Sequence, residues 1–170
     1  MSPQFCPACG HRLFGFQDEG RTRLKCSNSV CARVHYDQLI VGAGALIEVD
    51  GKLLLVLRKR DPFAGRFGLP AGHVEADEEP RRAAEREAKE ETGLIVRAEA
   101  LCDAYFFEDH PKGKGIFLVY RCSVIGGHAV ETAEAGCPGY FGVAELPDIA
   151  GGGHSIAVEA WRMGRRRDYV

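Results

Sequence analysis

The sequence predicts an α/β domain preceded by a small metal-held ribbon. Three observations lead there: two close pairs of cysteines near the start, β-branched and leucine-rich runs around Asp50-Gly51 and again after residue 94, and one strongly helical stretch between Pro80 and Gly93. A chain of 170 residues holds one well-packed domain with room for an appendage. The expected division is residues 1–37 for the ribbon and 38–170 for the main domain.

The ribbon comes first. Cys6-Pro7-Ala8-Cys9 is followed, after sixteen intervening residues, by Cys26 and then Cys31, giving a C-x2-C and a C-x4-C pair. Two such knuckles supply four thiolates, and a closed tetrahedral zinc site leaves no position for substrate, so its expected role is structural. About 35 residues bury little apolar surface, which makes the metal the expected source of folding free energy here. The wider second pair leaves His11 and His35 as substitute ligands. Cys102, Cys122 and Cys137 lie scattered and read as small buried side chains.

In the main domain, Asp50-Gly51 suits the positive φ angles of a tight turn, so residues 39–58 are expected to form two antiparallel strands. Residues 59–72 carry Pro62, Gly65, Gly68, Pro70 and Gly72 and read as a loop. Pro80 stands where a first helical turn tolerates it and Gly93 where a helix ends. Residues 94–107 and 116–125 read as strands. Residues 155–167 are helix-compatible, with Gly164 weakening the end.

At about 100° per residue, Glu87, Glu90 and Glu91 fall within one arc of the Pro80–Gly93 helix. Arg81, Arg82, Glu85, Lys89 and Thr92 lie opposite and read as a solvated face. Carboxylates three or four residues apart repel mildly on a helix, and a divalent cation reverses that sign. Hard oxygen donors in this number suit magnesium or manganese. Composition alone equally allows a charge-rich surface helix held by pairs such as Arg86 with Glu90.

The residues around the helix decide between these readings. Gly72, five residues, Glu78, seven residues, then Arg86-Glu87-Ala88-Lys89-Glu90-Glu91-Thr92-Gly93-Leu94 resembles the Nudix box at every fixed position, Ala88 being smaller than the usual aliphatic residue. Residues 68–75 resemble the family's preceding loop, and the likeness runs from about Leu39 to Ile149. It implies an α/β/α sandwich around a mixed sheet. It also implies that Glu87, Glu90 and Glu91 hold Mg2+ or Mn2+ with the Gly72 carbonyl completing the shell, and that Arg86 orients the glutamates. Glu78 either pairs with Arg86 or binds an outer metal.

In this family the base often comes from a loop before a late aromatic strand. Here that loop, residues 131–141, offers Glu134, with Glu131 as rival. The resemblance implies a pyrophosphohydrolase acting on a nucleotide-like small molecule. A zinc ribbon ahead of such a domain resembles the NADH pyrophosphatase subgroup, but the S-Q-P-W-P-x-P-x-S signature is absent. Residues 105–117 look more like the corresponding loop of ADP-ribose pyrophosphatases, which favours ADP-ribose or a related nucleoside diphosphate derivative. Lys112 and Lys114 are candidates for phosphate there, and Phe106 or Phe107 for stacking on a base.

Other classes fit less well. A Nudix-type isomerase needs a reactive cysteine and glutamate that do not pair convincingly here. A nucleotide sensor with a zinc-ribbon partner site is the alternative, although an intact glutamate set favours catalysis, and about twenty residues after Pro147 are too few for a winged helix. The formal net charge of −2 argues against a nucleic-acid partner, with Arg162, Arg165, Arg166 and Arg167 read as a solvated helix end. The apolar runs are too short for a membrane span and the opening residues lack a secretory pattern, so a cytoplasmic protein is expected. A homodimer is also expected.

Overall fold

The computed structural model describes residues 3–136 and 138–164. Cys137 and the arginines at 165, 166 and 167 lie outside the described residues. The chain divides into two compact units, Met1–Gln38 and Leu39–Val170.

In the first unit, β1 (Leu13–Asp18) and β2 (Arg21–Cys26) form a hairpin, and β3 (Val34–His35) pairs with β2 to complete a three-stranded antiparallel sheet. The turn places Glu19 and Gly20 at φ 47° and 78°, a conformation that fits the right-handed twist of the flanking strands. Among its described residues only Cys6 and Cys26 are buried. Its described residues form no apolar core of their own, which leaves the cysteine cluster as its densest packing.

The second unit begins with β4 (Ile40–Leu46), β5 (Glu48–Val49) and β6 (Lys52–Leu57). The Asp50-Gly51 turn forms as expected, with φ 51° and 73°. The hairpin around it is far shorter than two full strands, because only Glu48–Val49 pairs with β6. β4 pairs instead, in parallel, with β10 (Gly115–Gly127), so the chain crosses from one sheet to another at Ile47. Residues 59–72 also prove not to be loop throughout. Phe67–Gly68 forms β7 against β6, and Ala71–His73 forms β8 against β4.

α1 (Pro80–Thr92) follows, closed by Gly93 at φ 75°. Then come β9 (Leu94–Phe107), β10, β11 (Gly139–Phe141), a single 3-10 turn at Val143–Glu145, and α2 (His154–Arg162). β8, β4, β10 and β9 make one mixed sheet, and β11, β6 and β5 a second. Strand alternation splits the interior into two cores. Ala43, Ala45, Val96, Ala98 and Tyr120 meet Ala83, Ala84 and Ala88 of α1. Leu53, Leu55, Phe117 and Val119 meet Ala157, Val158 and Trp161 of α2. The result is an α/β/α arrangement, and the small residue at Ala88 lets α1 lie close to the sheet.

α1 is less solvated than its sequence suggests. Thr92 is fully buried, and Glu85 accepts the Ala98 N–H at 2.9 Å. The cause is tertiary: β9 starts immediately after Gly93 and runs back along that side of the helix. Among the described residues, no helix is long and apolar enough to cross a membrane.

Candidate active site

α1 presents its glutamates to β8, the short strand that carries Gly72. Arg86 organises them. Its Nη1 donates to Glu87 Oε1 at 2.7 Å and Glu90 Oε2 at 3.0 Å. Its Nη2 donates to Glu78 Oε1 at 2.6 Å and to the His73 carbonyl at 3.0 Å, and Nε donates to Glu78 Oε2 at 3.2 Å. The guanidinium thus ties the helix to the loop before it and to β8, using the fixed fork that lysine lacks. Of the two readings of Glu78, the structure displays the pair with Arg86. That hydrogen bond holds the Glu78 carboxyl below its ordinary range, with the Glu75 N–H adding to the effect.

Glu91 stands apart from this network. Its Oε2 accepts the Ala71 N–H at 2.9 Å. Burial pushes its pKa up to about 7, and the charges of Glu87 and Glu134 add to the rise. Burial likewise raises Glu87. A charged carboxylate taken from water and set beside others is poorly stabilised, and a divalent cation supplies the missing charge. The carboxylate oxygens of Glu87, Glu90 and Glu91 do not close on one point as the cysteine sulfurs do. Hard oxygen donors of this kind suit magnesium or manganese, which retain waters and bridge to phosphate oxygens.

Glu134 and Glu131 differ in position. The loop bearing them is pinned beside the end of β6 by an Arg58–Ala135 bridge and by the Gly136 N–H donating to the Leu57 carbonyl at 2.8 Å. Glu134 pairs with Arg60 at 3.7 Å, and its charge reaches both Glu87 and Glu91. Glu131 pairs with Lys59 at 2.7 Å.

Beside Gly72 and His73 opens a recess that sequence reasoning missed, bordered by Arg58, Phe63, Phe107, His110, Phe117 and His154. His154, at the start of α2, is 7% exposed, and its Nδ1 has no hydrogen-bond partner among the described residues. Burial, reinforced by Arg58, lowers its pKa to about 3, so the ring is neutral at ordinary pH. His110 packs edge-on against Phe63 and Phe107, and the adjacent Asp109 accepts the Gly152 N–H at 3.0 Å. The loop after β9 is thereby joined to the start of α2.

The earlier readings of that loop divide. Phe107 borders the recess, whereas Phe106 is 52% exposed. Lys114 is paired with Glu108. The one sequence signal for Arg58 is the basic run Arg58-Lys59-Arg60 closing β6, and His154 had none, because its burial depends on β7 packing against it. A larger cavity, about 430 Å³, lies between β5, β10 and α2 and contains none of these groups.

In the ribbon, the four expected cysteines do meet. All four sulfurs lie within 4.8 Å of one another, with Cys6–Cys31 at 3.9 Å and Cys9–Cys26 at 3.4 Å. Sulfurs at zinc–thiolate bond length around a tetrahedron are separated by about 3.8 Å, so the cluster fits that ion. The substitute ligands, His11 and His35, are outside this group. The first knuckle turns on the Gly10 N–H donating to the Cys6 carbonyl at 2.8 Å, with Gly10 at φ 72°.

Comparison with known proteins agrees with this geometry. The NUDIX domain family profile matches residues 38–156. An ADP-ribose pyrophosphatase of Methanocaldococcus jannaschii is 40% identical over 65% of this chain and 66% of its own length. A NAD-capped RNA hydrolase NudC of Vibrio atlanticus is 26% identical over 88% of this chain, which spans 53% of that relative. The crystal structure of a NUDIX hydrolase from Nitrosomonas europaea superposes with a TM-score of 0.79 at 27% identity, covering 96% of this chain and 92% of its own.

Proposed function

Because the chain belongs to the Nudix family, we propose that it is a divalent-metal-dependent pyrophosphohydrolase acting on a nucleoside diphosphate derivative, with ADP-ribose the favoured class. The observation that carries this reading is the Arg86 network, which holds Glu78, Glu87 and Glu90 in place beside Gly72 while Glu91 is fixed separately through Ala71. An ordinary solvated helix has no reason to bury Glu87 against Gly72 and turn Glu91 inward to the Ala71 N–H.

Glu87, Glu90, Glu91 and the Gly72 carbonyl would hold Mg2+ or Mn2+. Bound there, the ions supply charge neutralisation at the diphosphate and a lower pKa for the attacking water. Glu134 accepts the proton of that water, which adds to phosphorus as the bridging P–O bond opposite breaks. Arg86 is a positioning residue, since its donors are spent on protein acceptors. Arg58 faces the recess as a cation for substrate phosphate, and the aromatic walls receive a flat ring. We further assign Cys6, Cys9, Cys26 and Cys31 to a structural zinc within residues 1–37. The name of the archaeal relative and the character of residues 105–117 support ADP-ribose over other derivatives.

The test is release of AMP from ADP-ribose with Mg2+ or Mn2+, run beside NADH, diadenosine polyphosphates, nucleoside triphosphates and NAD-capped RNA. Metal-dependent turnover of one compound, lost by at least about a thousandfold in Glu91→Gln, is expected. Glu134→Gln is expected to cost about a hundredfold or more, with Glu131→Gln near wild type. Nucleotide binding without turnover of any compound would favour the sensor instead.

A further inference from the structure

The ribbon carries a surface that the hydrolase reading does not use. Paired residues in an antiparallel sheet share a face. On one face of this sheet Phe14 pairs with Lys25, Phe16 with Arg23 and Asp18 with Arg21. Tyr36, just beyond β3, continues that face: the Arg23 guanidinium lies 4.4 Å from its ring centroid. The Lys25 ammonium lies 5.3 Å from the Phe16 ring. Phe14 is 48% exposed and Tyr36 59% exposed. Aromatic rings and cations therefore alternate across an open sheet, and its one acid, Asp18, is bound to Arg23 at 2.9 Å.

Burial does not explain the rings, because the ribbon's buried residues are the cysteines Cys6 and Cys26. Charge also sets this unit apart. Residues 1–38 hold five arginine and lysine residues against three acids, a net +2, whereas the chain as a whole is −2. The acidic remainder conceals a locally basic surface.

We propose that this face binds single-stranded nucleic acid, with bases stacked on Phe14 and Tyr36 and phosphates met by Arg21, Arg23 and Lys25. Same-face residues along β2 repeat at about 6.7 Å, a spacing comparable with successive phosphates of an extended strand. Stacking on exposed rings between cations is the general basis of sequence-tolerant single-strand binding. In a duplex the base faces are already stacked on one another, so rings on an open sheet face cannot reach them. The surface would bring a polynucleotide to the protein, independently of which small molecule the second unit hydrolyses.

The experiment uses the full-length, zinc-loaded protein and a labelled 12-nucleotide RNA of mixed sequence, with its DNA counterpart and the duplex as comparators, read by fluorescence anisotropy. Both single strands are expected to bind more tightly than the duplex. Three cations give a log–log salt slope near about −2, hence roughly a 20-fold loss between 50 and 200 mM KCl. Phe14→Ala and Tyr36→Ala should each weaken binding about tenfold or more at unchanged zinc content, while Phe14→Trp retains it. Arg21→Ala, at an exposed site, should flatten the salt slope by about 0.7. Absence of saturable single-strand binding at 50 mM KCl would overturn the proposal and leave the face to a protein partner. Duplex binding as tight as single-strand binding, or indifference to loss of both rings, would overturn it equally. Hydrolysis of the small-molecule substrate by the ring variants should equal wild type, which separates failure here from failure of the hydrolase assignment.

Discussion

The Glu87 carboxylate lies directly over the Cα of Gly72: a Cβ at that position would come within 2.1 Å of Oε1. The glycine of the box is thus demanded by the approach of helix α1 to strand β8, at ordinary backbone angles. A carboxylate is the far end of a flexible side chain and can rotate away, so Gly72→Ala should fold. We expect its melting temperature within a few degrees of wild type. Its Mn2+ affinity, read by electron paramagnetic resonance titration, should fall at least about tenfold. Unchanged affinity would remove Glu87 from the ligand set.

Arg86 serves three carboxylates and one carbonyl with five hydrogen bonds. A lysine at this position has one nitrogen and cannot span them. Arg86→Lys is expected to lower kcat about a hundredfold at saturating substrate and metal, because misplaced ligands cost rate even when charge is conserved. Glu78→Gln should cost less, as the amide oxygen still accepts from the guanidinium. A larger loss in Glu78→Gln than in Arg86→Lys would point to Glu78 as a metal ligand.

Glu91 makes the metal-free protein sensitive to pH. Its folded-state pKa, about 7, lies above the ordinary 4.5, so the fold prefers the protonated acid. The sign follows: the stability it favours is present below pH 4.5 and is lost as pH rises through 7. Glu91→Gln keeps an acceptor for the Ala71 N–H without the buried charge. Metal-free, it should be more stable than wild type at pH 8 by on the order of 2 kcal/mol and no different at pH 4, measured by urea unfolding. Added Mg2+ should narrow the gap at pH 8 by stabilising wild type alone.

Among its described residues the ribbon buries only two cysteines, so removing the zinc proposed for it should unfold it locally. In the full chain treated with a strong zinc chelator, limited proteolysis is expected to cut within residues 1–38 and to spare residues 39–164. Cys9→Ser should show the same pattern without chelator. Resistance of the first 38 residues after complete zinc loss would show that other contacts hold them.

Much of the second unit was legible in the chain, for identifiable reasons. Helix α1 is announced by Pro80 and Gly93, because one lacks a needed donor only where none is needed and the other alone enters the left-handed region freely. The glutamate spacing follows from helical periodicity, and the four cysteines of the ribbon from the short turns that present thiolates to one ion. The strands after residue 94 show in their apolar alternation. All of these are local rules, operating over fewer than about thirty residues.

Tertiary structure decided the rest. β4 leaves its apparent hairpin for β10 because the strand that pairs with its free edge lies seventy-five residues further along the chain. Thr92 is buried and Glu85 is half-buried because β9 folds back over them. Glu134 and Glu131, equally acidic in sequence, take different partners, Arg60 and Lys59, only because their loop is anchored beside β6. Arg58, His110 and His154 converge on one recess from three separated segments, and no spacing rule links them. The sequence by itself determined the family, the spacing of the glutamates and cysteines, and the helix that carries the glutamates. Their meeting depended on long-range packing, whose energy comes from buried surface that no short stretch of chain contains.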